Sequence, residues 1–490
     1  MNIREPHAVT GTGDRRMDLD RRALLGASAA LSCANLPAQA EPAASPPAVT
    51  STLARHLVQA KPADLPENVR REGHRSLLNY VGVAVGGSQH ETVARAIAAL
   101  GPFWGRPEAN LMGRRERCDM LHAALVNGIS SHIFDYDDTH LKTIIHPAGP
   151  VVSAALALAQ HRPVTGSDFL HAVVLGMETE CRIGNAVFPS HYDMGWHITG
   201  SCGSFGSAAA CGKLLGLSEE QMVWALGLAA SQPVGLKIQF GSMTKSFHPG
   251  RAAQNGLTAA LLAAQNFTAG EGALEGKDGW GQALSRSVKW SEVTDGLGSR
   301  FEAALNTYKP FACGIVAHPA IDAAIQLRNE NKLNPADIAS VQLHANPLVL
   351  SLTGKKEPRT GLEGKFSIYH CVAVGLISGA AGERQFRDTV VRDAGVSALR
   401  GKVSVQADAT VDPAQCDLVV RLKDGRSFSR HIQNVIGSLN NPLSDTALEA
   451  KFFDLTDGIL SRSQATRLAE TCWTIEKQDD AGVLARQAAV

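Results

Sequence analysis

Hydrophobic and polar residues follow a helical period over most of the chain. Between residues 51 and 305, apolar side chains recur every three to four positions in one segment after another. This spacing places the apolar residues of each segment on one face of a helix. It predicts helices at residues 70–85, 120–133, 151–160, 168–187, 200–215, 219–230 and 251–265.

The pattern changes after Tyr308, where short strand-like runs lie between helical segments. A Lys-Asp-Gly turn at residues 423–425 is typical of a hairpin. Strands are predicted at residues 338–345, 403–405, 417–422 and 426–432, and helices at residues 319–328 and 367–381.

Together these patterns predict a mainly α fold: a large helical domain that contains a smaller inserted α+β unit. The helical domain is expected at residues 51–305, the insertion at 306–439 and the helical return at 440–490.

The N-terminal segment has the features of an export signal. Arg21 and Arg22 precede an Ala/Leu run at residues 23–36, and Ala38-Gln39-Ala40 follows as a small-x-small cleavage pattern. We expect a twin-arginine signal peptide at residues 1–40, a Pro/Ala-rich linker at 41–50 and a periplasmic location. The alternative is an extension that is not cleaved on a cytoplasmic protein.

Composition and missing motifs argue against several classes of function. The 47 basic and 47 acidic residues balance, so there is no electrostatic footprint for nucleic acid. None of the nine cysteines forms a C-x-x-C pair, which argues against a zinc site. The motifs of dinucleotide-binding folds, P-loops and serine hydrolases are also missing from the sequence.

The residues best suited to chemistry are concentrated just before the helix predicted at 151–160. The cluster comprises Asp135, Asp137, Asp138, Thr139, His140, Lys142 and His146. Clustered carboxylates can bind Mg²⁺, but the cationic neighbours fit an anionic substrate better. Asp137 or Asp138 could instead cap a helix or form a salt bridge.

Histidine precedes proline at three positions, His146, His248 and His318. Because proline is favoured in the first helical turn, each histidine is expected at or just before a helix N-terminus. That end attracts carboxylates and keeps imidazole neutral. His197 also precedes an apolar helix. The alternative is that these histidines only cap helices or pack in the core.

A basic segment at residues 241–251 contains Lys245, His248 and Arg251. These side chains could bind a carboxylate or polarise a carbonyl; the alternative is a solvated basic turn. Lys309 and His318 repeat the arrangement at the predicted domain boundary.

These motifs, Asp-x-Asp-Asp-Thr before His-Pro and Met-Thr-Lys-x-x-His downstream, resemble those of the MmgE/PrpD family. Matching stretches lie at residues 131–150, 195–217, 241–256, 309–323 and 366–379. The resemblance implies that the α+β unit is a lid, that the protein is a homodimer, and that a site between the domains needs no metal or organic cofactor.

The resemblance and the residue chemistry together define the candidate site. The expected catalytic residues are Asp135, His146, His197, Lys245 and His318. The expected substrate-binding residues are Thr139, His248, Arg251, Lys309 and His370.

The sequence departs from the family pattern in one interval length and at one residue. The interval from Thr139 to His146 is one residue longer than in well-known members, and His370 stands where the family's decarboxylases have tyrosine.

The leading hypothesis is a cofactor-independent dehydratase or decarboxylase of a small di- or tricarboxylate, which transfers a proton α to a carboxylate. The alternatives are a racemase or epimerase of a dicarboxylate, and an exported carboxylate-binding protein without catalysis.

Overall fold

The computed structural model describes residues 48–490. The predicted signal peptide at residues 1–40 and most of the predicted linker at 41–50 lie outside the described residues. The last two linker positions, Val49 and Thr50, already belong to the first helix and are buried. Thr50 is held there because its hydroxyl and backbone N–H donate to the carboxylate of Glu275.

Most of the described chain is helical, as predicted. The helices are α1 (Val49–Gln59), α2 (Glu67–Gly87), α3 (Glu91–Leu100), α4 (Met120–His132), α5 (Ala148–His161), α6 (Gly166–Val187), α7 (Ser190–Asp193), α8 (Ile198–Leu215), α9 (Glu219–Ala230), α10 (Thr244–Ala264), α11 (Trp280–Leu284), α12 (Ser291–Thr294), α13 (His318–Asn331), α14 (Leu348–Thr353), α15 (Gly361–Gly364), α16 (Ile368–Ser378), α17 (Asp388–Val391), α18 (Ala394–Arg400), α19 (Asp445–Thr456), α20 (Arg462–Trp473) and α21 (Val483–Gln487). The strands are β1 (Ala109–Asn110), β2 (Arg117–Cys118), β3 (Asp138–His140), β4 (Asn306–Tyr308), β5 (Ile338–Ala345), β6 (Val403–Ala407), β7 (Cys416–Leu422) and β8 (Ser427–Ile432).

Helix α8 lies at the centre of the helical region and packs against α5, α6, α9 and α10. Its sequence is rich in Gly, Ser and Ala, and all residues from Ile198 to Gly212 are buried. Small residues allow close approach between the other helices as well. A Cβ atom at Gly128 of α4 would lie 2.5 Å from the Cα of Gly250 in α10. A larger residue at Gly128 would therefore push these two helices apart.

The seven helices predicted before residue 305 are all present, but α10 begins at Thr244, seven residues before its predicted start at 251. His248 and Pro249 therefore lie inside the helix, and the expectation that His248 precedes a helix N-terminus is wrong. Pro249 lacks an N–H group, so the carbonyl of Lys245 loses its helical partner. The close packing of α10 on α4 and α8 outweighs this loss.

The other three histidines lie where the Pro and helix patterns predict. His146 stands two residues before α5, His197 is the N-cap of α8, and His318 is the first residue of α13.

A four-stranded sheet with the order β6-β5-β7-β8 lies in the region predicted to be α+β. Strand β5 is parallel to β6 and antiparallel to β7, and β7 and β8 form the predicted hairpin. Its turn contains Gly425 at φ 90°, a conformation that favours glycine. Helices α13 and α16 pack together and complete the core with the sheet.

The pairing of β3 with β4 was not predicted, and it is decisive for the site. Thr139 lies opposite Thr307, and Asp138 lies opposite Tyr308. This short antiparallel ladder joins residues far apart in sequence, and it places Lys309 directly beside the segment that begins at Asp135.

The C-terminal helices α19 and α20 pack against α2. Lys451 of α19 is buried, and its ammonium donates to Asn79 Oδ1, Tyr136 O and Lys309 O at 2.8, 2.6 and 2.9 Å. The C-terminal helices thereby stabilise both chain segments that carry the candidate site. Within residues 48–490, no helix is both long and apolar enough to cross a membrane.

Replacing Lys451 with Met should destabilise the protein, because three buried oxygens would lose their donor. We expect a loss of about 3 kcal/mol in the free energy of unfolding, measured by urea denaturation. The control is Ala450→Met, at an exposed position of the same helix. Equal stability of the two variants would contradict this role of Lys451.

Candidate active site

The candidate active site is a cavity between the helical region and the segments that follow β4. The space between its lining atoms, including the part that is open to solvent, is about 410 Å³, and the room left inside it for a water-sized sphere is about 30 Å³. Its helical side comes from the end of α4, the loop before α5, and the starts of α8 and α10. The lining residues are Asp135, Ile144, His146, Tyr192, His197, Phe240, Lys245, Lys309, Gly314, Ile315, Val316, Leu352, Thr353 and Phe366.

Asp135 is the ionic centre of the cavity. Its Oδ1 accepts hydrogen bonds from Lys245 Nζ and Lys309 Nζ, both at 2.8 Å, and Lys309 also donates to the Asp135 carbonyl at 3.0 Å. All three side chains are buried. Burial by itself would raise the pKa of Asp135, but the two ammonium groups hold that pKa well below its usual range. Asp135 is therefore ionised.

His132 connects Lys245 to a second carboxylate. Its Nε2 lies 2.8 Å from Lys245 Nζ, and its Nδ1 lies 2.6 Å from Asp137 Oδ2. An ionised carboxylate only accepts, so Nδ1 carries the proton and Nε2 accepts from the ammonium. Burial lowers the pKa of His132, which keeps the ring neutral. Lys245 is thus held from two sides, by Asp135 and by His132.

The His146 ring is held in one tautomer. Its Nδ1 lies 2.7 Å from the Asp138 carbonyl oxygen and 3.2 Å from Thr139 Oγ1. A carbonyl can only accept, so Nδ1 donates, and the lone pair of the neutral ring is on Nε2. Burial lowers the pKa of His146 to about 3. The ring is therefore neutral near pH 7, with an unprotonated nitrogen available at the cavity.

Besides the Asp138 carbonyl, two threonines contact His146. Thr139 contacts Nδ1, and Thr199 Oγ1 accepts the backbone N–H of His146 at 3.1 Å. Thr139 is fully buried and lies behind the histidine instead of lining the cavity. Its position is that of a residue that orients His146, not of one that contacts substrate.

His197 and His248 form a pair in which one Nδ1 donates to the other across 2.9 Å. His197 lines the cavity, and His248 lies behind it on α10. Burial and the nearby Lys245 charge lower the pKa of His197 well below its usual value, and burial lowers the pKa of His248 to about 3. Both rings are neutral near pH 7.

Arg251, predicted to bind substrate, is not brought to the cavity. It is exposed, and its guanidinium donates to Gln254. The reason is the early start of α10. Residues 245 and 251 lie in one continuous helix, where six positions rotate the side chain by about 240°. Lys245 and Arg251 therefore face different directions.

His318 and His370 also lie outside the cavity lining. His318 Nε2 is 3.3 Å from the Cys313 carbonyl oxygen, and its ring packs edge-on against Phe311. His370 Nε2 is 3.0 Å from the Gln385 carbonyl oxygen, and burial lowers the pKa of His370 to about 4. Of the predicted site residues, the structure brings Asp135, His146, His197, Lys245 and Lys309 together around the cavity.

His132 is the most important site residue that the sequence interpretation did not include. Its signal was available, because Asn127, Ser130, Ser131 and His132 are polar positions among the apolar residues of the second half of α4, and the fold buries all four. The aromatic lining residues Tyr192, Phe240 and Phe366 had no comparable signal.

Two groups of side chains have the spacing of metal ligands: His132, His146 and His197, and Asp135, Asp137 and His146. Within each group the ligand atoms lie within 4.8 Å of one another. However, Lys245 already donates to His132 and Asp135, and Lys309 donates to Asp135. A metal cation would have to displace these ammonium groups, so the arrangement is better suited to an anion.

Family models match nearly the whole described chain. The MmgE/PrpD N-terminal domain matches residues 51–293, and the MmgE/PrpD C-terminal domain matches residues 311–475.

Among curated proteins, the chain is similar to a cis-aconitate decarboxylase of Aspergillus terreus, with 25% identity over 461 residues, 88% of this chain and 94% of the relative. It is also similar to the cis-aconitate decarboxylase of Mus musculus, with 26% identity over 462 residues, 89% of this chain and 93% of the relative. The enzyme of the same name from Homo sapiens is 26% identical over 466 residues, 89% of this chain and 93% of the relative.

The buried neutral histidines predict an acid-sensitive fold. Because the pKa of His248 is about 3 in the folded protein and about 6.5 when unfolded, protonation favours the unfolded state. The stability it contributes is present above pH 6.5 and is lost as pH falls towards 3. His248→Gln should lose less stability over that range than the wild type, measured by urea denaturation at several pH values.

The control for the acid sensitivity is His161→Gln, at an exposed histidine that pairs with Glu108. Because a surface ion pair contributes little to stability, this variant should stay close to the wild-type pH dependence. A His248→Gln curve parallel to the wild type would contradict the assignment.

Proposed function

The chain belongs to the MmgE/PrpD family and is a lyase, and from this premise we propose that it decarboxylates or dehydrates a small carboxylic acid with more than one carboxylate. The reaction would proceed by proton transfer at the carbon next to a carboxylate. The observation that supports this most directly is the geometry around Asp135, where two lysines and a neutral histidine face one cavity.

The lysines can bind a carboxylate together. An ammonium group has three N–H donors. Lys245 uses two of them on His132 and Asp135, and Lys309 uses two on the side chain and carbonyl of Asp135. One donor on each lysine is left for a ligand. Two convergent N–H groups match the two oxygens of one carboxylate.

The same pair of lysines would stabilise the charge that develops during the reaction. When a proton or carbon dioxide leaves the carbon next to a carboxylate, an electron pair stays on that carbon. This pair delocalises onto the oxygens of the carboxylate. Fixed ammonium donors in a buried site stabilise that charge without having to reorganise. Asp135 keeps the donors in place, and this is the role we propose for it.

His146 is the proposed proton-transfer group, because its Nε2 is unprotonated at neutral pH. In a dehydration, Nε2 would remove the proton, and a second acid would protonate the leaving hydroxyl. In a decarboxylation, the bond between the substrate carbon and its carboxylate carbon breaks, carbon dioxide leaves, and the carbanion takes a proton from an acid; His146 could supply it only after its Nε2 has bound a proton from solvent. The decarboxylase relatives favour the second reaction. His197, on the same cavity, is the second candidate for proton transfer.

Four further features belong to the proposal. The ammonium groups beside Asp135 support catalysis without a metal or organic cofactor. The family resemblance supports a homodimer and a lid function for residues 306–439. The Arg21-Arg22 segment supports periplasmic export.

The test is incubation of the purified protein with a panel of di- and tricarboxylates in deuterium oxide. Nuclear magnetic resonance would detect deuterium incorporation and product, and carbon dioxide release would be measured in parallel. We expect His146→Gln and Lys245→Met each to lose at least about 100-fold in turnover. The matched control is Lys142→Met, at an exposed position in the same loop.

Turnover retained by both variants would contradict the assigned site. Binding of a panel member without exchange or product would instead favour a binding protein.

A further inference from the structure

Asp137 is a buried carboxylate to which the proposed reaction gives no role. Its side chain accepts a single hydrogen bond, from His132 Nδ1 at 2.6 Å. Its other oxygen, Oδ1, has no hydrogen-bond partner in the described part of the chain, and no lysine or arginine described there pairs with it. Because burying a carboxylate with one partner is costly, the contact with His132 is the candidate for a functional role.

The His132 ring connects this carboxylate to Lys245. Its Nε2 lies 2.8 Å from Lys245 Nζ, and within residues 48–490 Asp137 and Lys245 are the only hydrogen-bond partners of the ring. A neutral imidazole has one N–H and one lone pair. Whatever fixes the proton on one ring nitrogen therefore decides whether the other nitrogen accepts from the lysine or opposes it.

The proton between His132 and Lys245 belongs to the lysine. An unperturbed lysine amine binds a proton about 10⁴-fold more strongly than an imidazole. Burial lowers the pKa of both groups, so their order is kept. Lys245 stays charged in a buried site only because it has acceptors, and His132 Nε2 is one of the two that the protein supplies, beside Asp135 Oδ1.

The other titratable groups around this chain of contacts do not replace Asp137. The rings of His146 and His197 lie 5.0 and 5.6 Å from the His132 ring, centroid to centroid, and His248 lies behind His197. The remaining neighbours are the cations Lys309 and Lys451. Burial lowers the pKa of Lys245, and Asp135 and Asp137 are the two carboxylates that oppose this effect.

We propose that Asp137 is a positioning residue that acts on Lys245 through His132. By keeping the ring proton on Nδ1, it leaves Nε2 free to accept from Lys245. The lysine then remains protonated, and two fixed acceptors leave its third N–H one direction, towards a ligand. The inference rests on the proposed function, in which Lys245 binds a carboxylate, and it adds how the charge and direction of that lysine are maintained.

Asp137→Asn tests the role of the negative charge. The amide is neutral, and where its NH₂ group donates to Nδ1, the ring proton moves to Nε2, against the ammonium. Both effects disfavour the charged lysine. With the panel member that is turned over fastest, kcat/KM should fall about 10- to 100-fold at neutral pH. The basic limb of its pH profile should move to lower pH by about one unit. A purely structural role would lower kcat/KM without moving that limb.

His132→Gln tests whether Asp137 acts through His132. The glutamine amide oxygen can accept from Lys245 and needs no partner to fix its proton. This variant should therefore retain at least about 10-fold more activity than His132→Leu, which has no acceptor. In the His132→Gln background, Asp137→Asn should cost less than about 3-fold.

The matched control is His122→Gln, at a second Asp–His pair on the same helix. His122 Nδ1 lies 2.8 Å from Asp119 Oδ2, and neither residue lines the cavity. The pH profile of this variant should match the wild type. Thermal unfolding of every variant checks that it is folded.

Nuclear magnetic resonance of the wild type with ¹⁵N-labelled histidine tests the arrangement without a substrate. The His132 signals, identified by their loss in His132→Gln, should show a protonated Nδ1 and an unprotonated Nε2 at neutral pH. A proton on Nε2, or on both nitrogens, would overturn the inference, because Lys245 would have no acceptor in His132.

An equal cost of Asp137→Asn in both backgrounds would also overturn it. Asp137 would then act elsewhere, for example on His146, whose Nδ1 lies 3.7 Å from Asp137 Oδ1. A wild type that shows the expected His132 tautomer but turns over no panel member would count against the proposed function. Calorimetric binding of maleate then replaces kcat/KM as the readout, and Asp137→Asn should weaken it.

Discussion

The site depends on one buried interaction, the contact of a single carboxylate, Asp135, with two ammonium groups. Lys245 comes from α10 and Lys309 from the residue after β4, so the ion cluster links chain segments more than 100 residues apart. Removing charges from water costs several kcal/mol each, and only good pairing offsets that cost. Asp135 provides the pairing, and an anionic ligand would complete it.

Burial around this cluster determines the protonation of its neighbours. His132, His146, His197 and His248 all have lowered pKa values because they are removed from solvent and lie near ammonium groups. A protonated histidine would add positive charge to a site already occupied by two lysines. The burial that destabilises the fold in acid therefore also keeps these imidazoles neutral. Neutral imidazoles can accept a proton at neutral pH.

The rest of the fold supports this geometry at some cost. Pro249 inside α10 and the left-handed backbone of Asp135 and Ile144 are unfavourable locally. Each persists because tertiary packing holds it, and each lies at or next to the cavity. The loop from Thr139 to His146 holds the His146 ring and also brings Ile144 to the cavity.

The sequence by itself determined most of the helices, the hairpin and the type of chemistry. Apolar spacing and turn residues are local signals, so helix α9, strand β5 and the Asp-Gly hairpin were predicted within a residue or two. The proximity of Lys309 to Asp135 could not be predicted locally, because it depends on the β3–β4 ladder between distant segments. Residues 245 and 251 were separated by the early start of α10, which packing against α4 and α8 decided. The cavity likewise exists only after folding, since its lining residues come from separate segments between Asp135 and Phe366.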